Sequence, residues 1–204
     1  MKKRKCIGMM LVLFSIAAVC VYNTSMGDIS AESSVFSDAT LEADKDNDLS
    51  VISDTDMSNT IEFYKLKGES DAEAEASAKE YLEKRQGLYL AAIDNGYAVS
   101  DEEVWEYLSH LREQLENADN SEEYYEIKSA FPSDEDYWNY EFTVYKKNLP
   151  IQKYLSDYAE QYSEETGKDM HSQEFNELWN EKLEELKTEM REKYVVEFES
   201  EISD

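Results

Sequence analysis

The two histidines are the side chains with the widest chemistry in this sequence, because imidazole can bind metals and transfer protons. They are His110 and His171. Glu106 lies one helical turn before His110 and could share a ligand face with it, but two groups are too few for a tetrahedral zinc site. We therefore interpret His110 as a surface residue of a charged helix and His171 as a residue at a helix start.

The stretch from Asp44 to Ser50 imitates the first half of a calcium loop, with oxygen ligands at alternate positions. Leu49 stands where an EF-hand loop needs glycine, and Thr55 stands where it needs a bidentate glutamate. We interpret the stretch as a solvated acidic run, so no metal site is predicted.

Other catalytic patterns are absent from the sequence. It has no glycine-rich phosphate loop and no Gly-x-Ser-x-Gly elbow, and with 47 acidic residues no single carboxylate pair carries information. We predict no catalytic residue and no cofactor, and the protein is expected not to be an enzyme.

The aromatic residues are the remaining side chains with a specific use. The sequence has 15 Tyr, seven Phe and three Trp. Tyrosine joins an apolar ring to a polar tip, which suits a soluble surface that grips extended peptide. We predict a peptide-binding surface from the aromatic residues that lie off the regular helical stripes or at their margins: Trp105, Tyr124, Tyr125, Tyr137 and Tyr140. The alternative is that most of them complete the core.

The N-terminal residues 1–27 have the pattern of an export signal. Four basic residues, from Lys2 to Lys5, precede an apolar run from Cys6 to Tyr22. The segment is either a cleaved signal peptide or a retained membrane anchor. Lipidation of Cys20 stays open, although Val19 stands where a lipobox prefers a small residue. Because Cys6 and Cys20 are the only cysteines, the rest of the chain has no disulfide or thiolate chemistry.

The chain is strongly acidic, with a formal net charge of -27. Without the basic N-terminal residues, 16 cations face 47 acids, which gives -31. Such a surface repels phosphate backbones and anionic lipid headgroups, so we predict no nucleic-acid partner and membrane contact only through the N-terminal segment. The charge favours solubility and cationic partners.

Composition and periodicity divide the rest of the chain in two. Residues 28–58 are rich in Ser, Asp, Glu and Ala and predict a disordered acidic linker. Residues 59–204 predict one all-α, irregular domain of four to five helices, with a long C-terminal helix that packs back. The expected helices are a first from near Asp71 to Asn95, a second from Ser100, a short third from Ser121, a fourth from Ser133 to near Gly167, and a last from about Ser172 to Phe198. Pro150 is expected to kink or break the fourth.

The run from Asn95 to Val104 predicts a corner between two helices. Gly96 can take the left-handed conformation that ends one helix, and Ser100 with Glu103 forms a capping box that opens the next. This run resembles the first helical corner of the SurA-type N-terminal domain, which occurs in extracytoplasmic chaperones and foldases including the PrsA proteins. The stretch Pro132 to Trp138 is similar to the second helical restart of that family.

The resemblance implies a binding function and no catalysis. Foldases of this family carry a parvulin prolyl isomerase domain before the final helix, whereas the corresponding interval here, from about Ser163 to Ser172, is only a short loop. The first hypothesis is an extracytoplasmic chaperone-like protein, secreted or anchored, that binds unfolded or extended exported polypeptides in an aromatic cleft between helices. The alternative is an acidic cell-surface protein that sequesters a cationic peptide or protein. High salt should weaken only the second kind of complex.

Overall fold

The computed structural model describes residues 49–117, 121–129 and 131–196. Every regular element within these ranges is helical, which confirms the predicted all-α class. None of the helices in the described ranges is both long and apolar enough to cross a membrane. The predicted N-terminal segment, Cys20 and most of the predicted linker lie outside the described residues.

The helices follow one another with short connections. In chain order they are α1 (Asp54–Leu66), α2 (Asp71–Asp94), α3 (Asp101–Glu116), α4 (Ser121–Lys128), α5 (Asp134–Thr166) and α6 (Gln173–Arg191), followed by a π-helical turn (Glu192–Val196). They form two compact units. In the part of the chain that the structure describes, Val99–Lys146 makes a unit continuous in sequence, and residues 49–98 together with 147–196 make a discontinuous unit. The boundary between the two falls inside α5.

The corner predicted at Gly96 is confirmed. Gly96 has φ +87°, its N–H donates to the Ile93 carbonyl, and the Tyr97 N–H donates to the Ala92 carbonyl, both at 3.0 Å. These are the two hydrogen bonds of a Schellman motif. Ser100 then opens α3, because its hydroxyl accepts from the Glu103 N–H at 3.2 Å.

Substitution at Gly96 tests this corner. A Cβ placed on Gly96 would meet nothing within 4 Å, so any loss of stability comes from the backbone alone. We expect Gly96→Val to lower the free energy of unfolding by about 1 kcal/mol or more in a urea melt, and Gly96→Asn to cost less, because asparagine tolerates positive φ better than a β-branched residue. Equal stability of the two variants would contradict a left-handed cap.

The predicted end of the linker at residue 58 is wrong, because α1 begins at Asp54. Ser53 caps this helix by accepting from the Asp56 N–H at 3.0 Å. The preceding residues are also fixed in place. Gln86 donates to the Leu49 carbonyl at 3.1 Å, and the buried Lys147 ammonium donates to the Val51 carbonyl at 3.4 Å and to the Gln86 side chain at 2.7 Å. These polar contacts join residues distant in sequence, so composition alone could not reveal them.

The predicted break at Pro150 does not occur, because α5 continues through this residue to Thr166. The proline lacks the N–H that would bond to the preceding turn. Leu149, Pro150 and Ile151 are all buried, however, and this packing offsets the lost hydrogen bond. The last α-helix ends at Arg191 and is followed by the π-helical turn to Val196, and the predicted end at Phe198 lies outside the described residues.

The final helix packs back along α2, as predicted. Their shared core consists of small and apolar side chains from α2, α5 and α6: Leu88, Ala91, Ile151, Leu186 and Met190. Gly87 lets the two backbones approach closely, since a Cβ on this residue would lie 2.6 Å from the Met190 carbonyl and the Arg191 nitrogen. Beside it, Arg191 pairs with the buried Glu83 carboxylate at 2.6 Å.

Candidate functional site

The five predicted binding residues all belong to the continuous unit, but they differ in exposure. Tyr124 and Tyr137 are only 3% and 2% exposed, and Tyr140 is half-buried. Trp105 and Tyr125 are 42% and 49% exposed. Tyr124 and Tyr137 are therefore out of reach of a partner in this conformation, whereas Trp105 and Tyr125 present ring surface to solvent.

The buried tyrosines belong to an aromatic cluster. Tyr137 packs edge-on against Phe131 at 5.2 Å, Trp138 at 5.0 Å and Tyr124 at 5.9 Å between ring centroids. Phe131 also contacts Tyr140 at 5.5 Å. Edge-on pairs of this kind stabilise a core beyond the area they bury. In the continuous unit, this cluster joins α4, the loop after it and the first turns of α5.

Trp105 lies on α3 and stacks on Phe142 of α5. Their ring centroids are 4.6 Å apart and the planes are 17° from parallel. Phe142 covers part of the indole, and the rest stays open to solvent. Spacing within one helix could not reveal this role of Phe142, because the stack depends on how α3 and α5 face each other.

The three cations that the structure describes in the continuous unit share one arrangement: each lies over an aromatic ring and beside a carboxylate. Lys146 lies 5.7 Å from the centre of Phe142 and pairs with Asp101. The second and third cases are Lys128, over Tyr124 at 5.4 Å and paired with Asp134, and Arg112, over Trp138 at 5.7 Å and paired with Glu116 and Asp134. Cation–π attraction and ion pairing act together at each position.

Glu141 is a second feature that sequence reasoning missed. The residue is half-buried, and withdrawal of its carboxyl group from water raises its pKa from the ordinary 4.5 to about 7. A hydrogen bond from the Tyr137 hydroxyl opposes part of this rise. Burial and the neighbouring Glu141 in turn raise the pKa of Tyr137. No signal in the sequence separates Glu141 from the other acids, since its burial depends on the aromatic cluster.

Neither histidine belongs to a metal-binding cluster in the described residues. His110 and His171 are exposed, and no cluster of three histidine, cysteine or acidic side chains with metal-binding geometry occurs in the ranges that the structure describes. The most exposed large aromatic rings of the continuous unit are those of Trp105 and Tyr125.

Comparisons with protein-family models, curated proteins and solved structures find no match to this chain.

Proposed function

We propose that this protein is an extracytoplasmic, chaperone-like protein that binds unfolded or extended polypeptide segments through exposed aromatic side chains, without catalysis. The observation that carries the proposal is the exposure of Trp105 and Tyr125 in a unit whose other described aromatic residues are largely packed. Large exposed rings stay in contact with water at a free-energy cost that a bound peptide would remove.

Two sequence features support the same proposal. The basic and apolar N-terminal segment is typical of exported proteins. The corner from Asn95 to Val104 resembles that of SurA-type chaperone domains. The short loop before α6 leaves no room for an isomerase domain, so the proposed activity is binding or holding alone.

The acidic interaction protein remains the second candidate, and the charge of the continuous unit favours it. Val99–Lys146 contains 14 acidic residues and three cations in sequence. All three cations are already paired with carboxylates, and the unit keeps a large excess of negative charge that would attract an external cation. Here attraction would be electrostatic, and the complex would dissociate as salt screens the charges.

Client protection tests the first candidate. We expect the full chain to slow the aggregation of a chemically denatured client protein diluted into buffer, as followed by light scattering, without ATP and at moderate salt. Trp105→Ser with Tyr125→Ser should remove most of the protection, because both rings are exposed. No acceleration of prolyl isomerisation is expected in a proline-limited refolding assay.

The matched control is the double variant Leu66→Ser and Ile93→Ser, which removes exposed apolar side chains from the discontinuous unit. It should protect the client as well as the parent does. An equal loss of client protection in both double variants would indicate non-specific hydrophobic binding. If the parent gives no protection at all, the acidic interaction protein becomes the better-supported candidate.

A further inference from the structure

The continuous unit already shows how it holds a basic side chain. Lys146 lies between an aromatic ring, that of Phe142, and the carboxylate of Asp101. Phe142 is itself one half of the stack with Trp105. The larger ring of that pair, the indole, is 42% exposed, and no described cation of the unit lies over it.

Carboxylates lie next to the exposed indole along α3. Asp101 and Glu102 precede Trp105 by four and three residues, which puts all three on neighbouring positions of one helix face. Trp105 thus has the same two components that hold Lys146, an aromatic ring and nearby carboxylates. Asp101 already pairs with Lys146, so Glu102 is the exposed carboxylate left for a ligand. An apolar ligand would have to desolvate Glu102 without compensating its charge, whereas a cation would pair with it.

We infer that the exposed face of Trp105, together with the carboxylate of Glu102, binds basic side chains of extended polypeptides, arginine above all. This inference rests on the proposed peptide-binding function and names the segments that the protein prefers. Arginine fits best because its planar guanidinium stacks on an aromatic face and still donates to a carboxylate at its edge. The excess of 14 acids over three cations in Val99–Lys146 also attracts basic segments over a longer range.

A pair of isosteric peptides tests the inference. One is a short, extended, fluorescently labelled peptide with a single arginine, and the other has the neutral isostere citrulline at the same position. Fluorescence anisotropy titration of the full chain should give a Kd for the arginine peptide about tenfold lower than for the citrulline peptide. Trp105→Leu should remove most of the difference in Kd between the two peptides, mainly by weakening the arginine peptide, and the remaining difference reflects the carboxylates alone.

Ile93→Leu, at an exposed apolar position in the discontinuous unit, is the matched control and should change neither Kd. Urea melts should confirm that Trp105→Leu folds. NMR provides a readout that needs no variant: the arginine peptide should shift the indole N–H signal of Trp105, while those of the buried Trp138 and Trp179 stay in place.

The outcomes separate this inference from the function on which it rests. Equal affinity for the two peptides, or an equal loss of both in Trp105→Leu, would overturn the arginine site while client protection still supports general peptide binding. Loss of client protection together with absence of binding to either peptide would overturn both. A preference for arginine that Trp105→Leu leaves undiminished would overturn the site at Trp105.

Discussion

Gly87→Ala is expected to lower the free energy of unfolding by about 3 kcal/mol. Alanine is ordinarily the better helix former, so helix propensity alone would give a gain of about 1 kcal/mol at this position in α2. The added Cβ, however, would lie 2.6 Å from backbone atoms of Met190 and Arg191. Backbone cannot rotate away as a side chain can, so α2 and α6 must separate and lose contacts between Leu88, Leu186 and their neighbours.

A urea melt followed by circular dichroism checks this result. Ala76→Gly, at an exposed position of the same helix, is the matched control and should cost about 1 kcal/mol through propensity alone. A gain in stability for Gly87→Ala would mean that the two helices do not approach as described.

Glu141→Gln is expected to stabilise the protein at pH 8 by about 2 kcal/mol and to change its stability little at pH 4. The pKa of Glu141 is raised to about 7 in the folded protein, from an ordinary value of 4.5. The folded state therefore favours the neutral carboxyl. Its contribution to stability is fully present below pH 4.5 and is lost as the pH rises towards 7, because the carboxyl must then ionise where water is scarce. Glutamine stays neutral at every pH and removes this loss.

Urea melts of the parent and the variant at several pH values between 4 and 8 provide the measurement. Glu113→Gln, at an exposed position of α3, should change stability much less and with a weaker dependence on pH. The same gain for Glu141→Gln at pH 4 and pH 8 would contradict a buried carboxyl at this position.

Local signals in the sequence were sufficient to predict most helix boundaries. Ser100, Glu103 and Gly96 act through hydrogen bonds that reach only a few residues, so the corner between α2 and α3 could be predicted from its own sequence. The start of α1 also has a local cap, at Ser53, which the acidic composition of the segment obscured. The contacts of Gln86 and Lys147 with the residues before α1 join distant parts of the chain, so they could not be predicted from local sequence.

The candidate site, too, could be predicted only in part from local sequence. The sequence indicated aromatic residues at the margins of helical stripes, and Trp105 and Tyr125 are indeed exposed. Periodicity could not reveal that Tyr124 and Tyr137 are buried, since that depends on how α4 and α5 pack around Phe131. The burial of Glu141 follows from the same packing and was missed for the same reason.

The discontinuity of one unit has a consequence for the order in which the chain folds. Helix α1 packs on α2 close by in sequence, but the Gly87 side of α2 is covered by α6. Contacts such as those of Gly87 with Met190 close a loop of about a hundred residues and cost entropy before they contribute stability. The continuous unit has no such requirement among its described residues and can form early. During synthesis, the side of α2 that packs on α6 must therefore stay uncovered until α6 is made, and this exposed apolar surface favours aggregation of the unfinished chain.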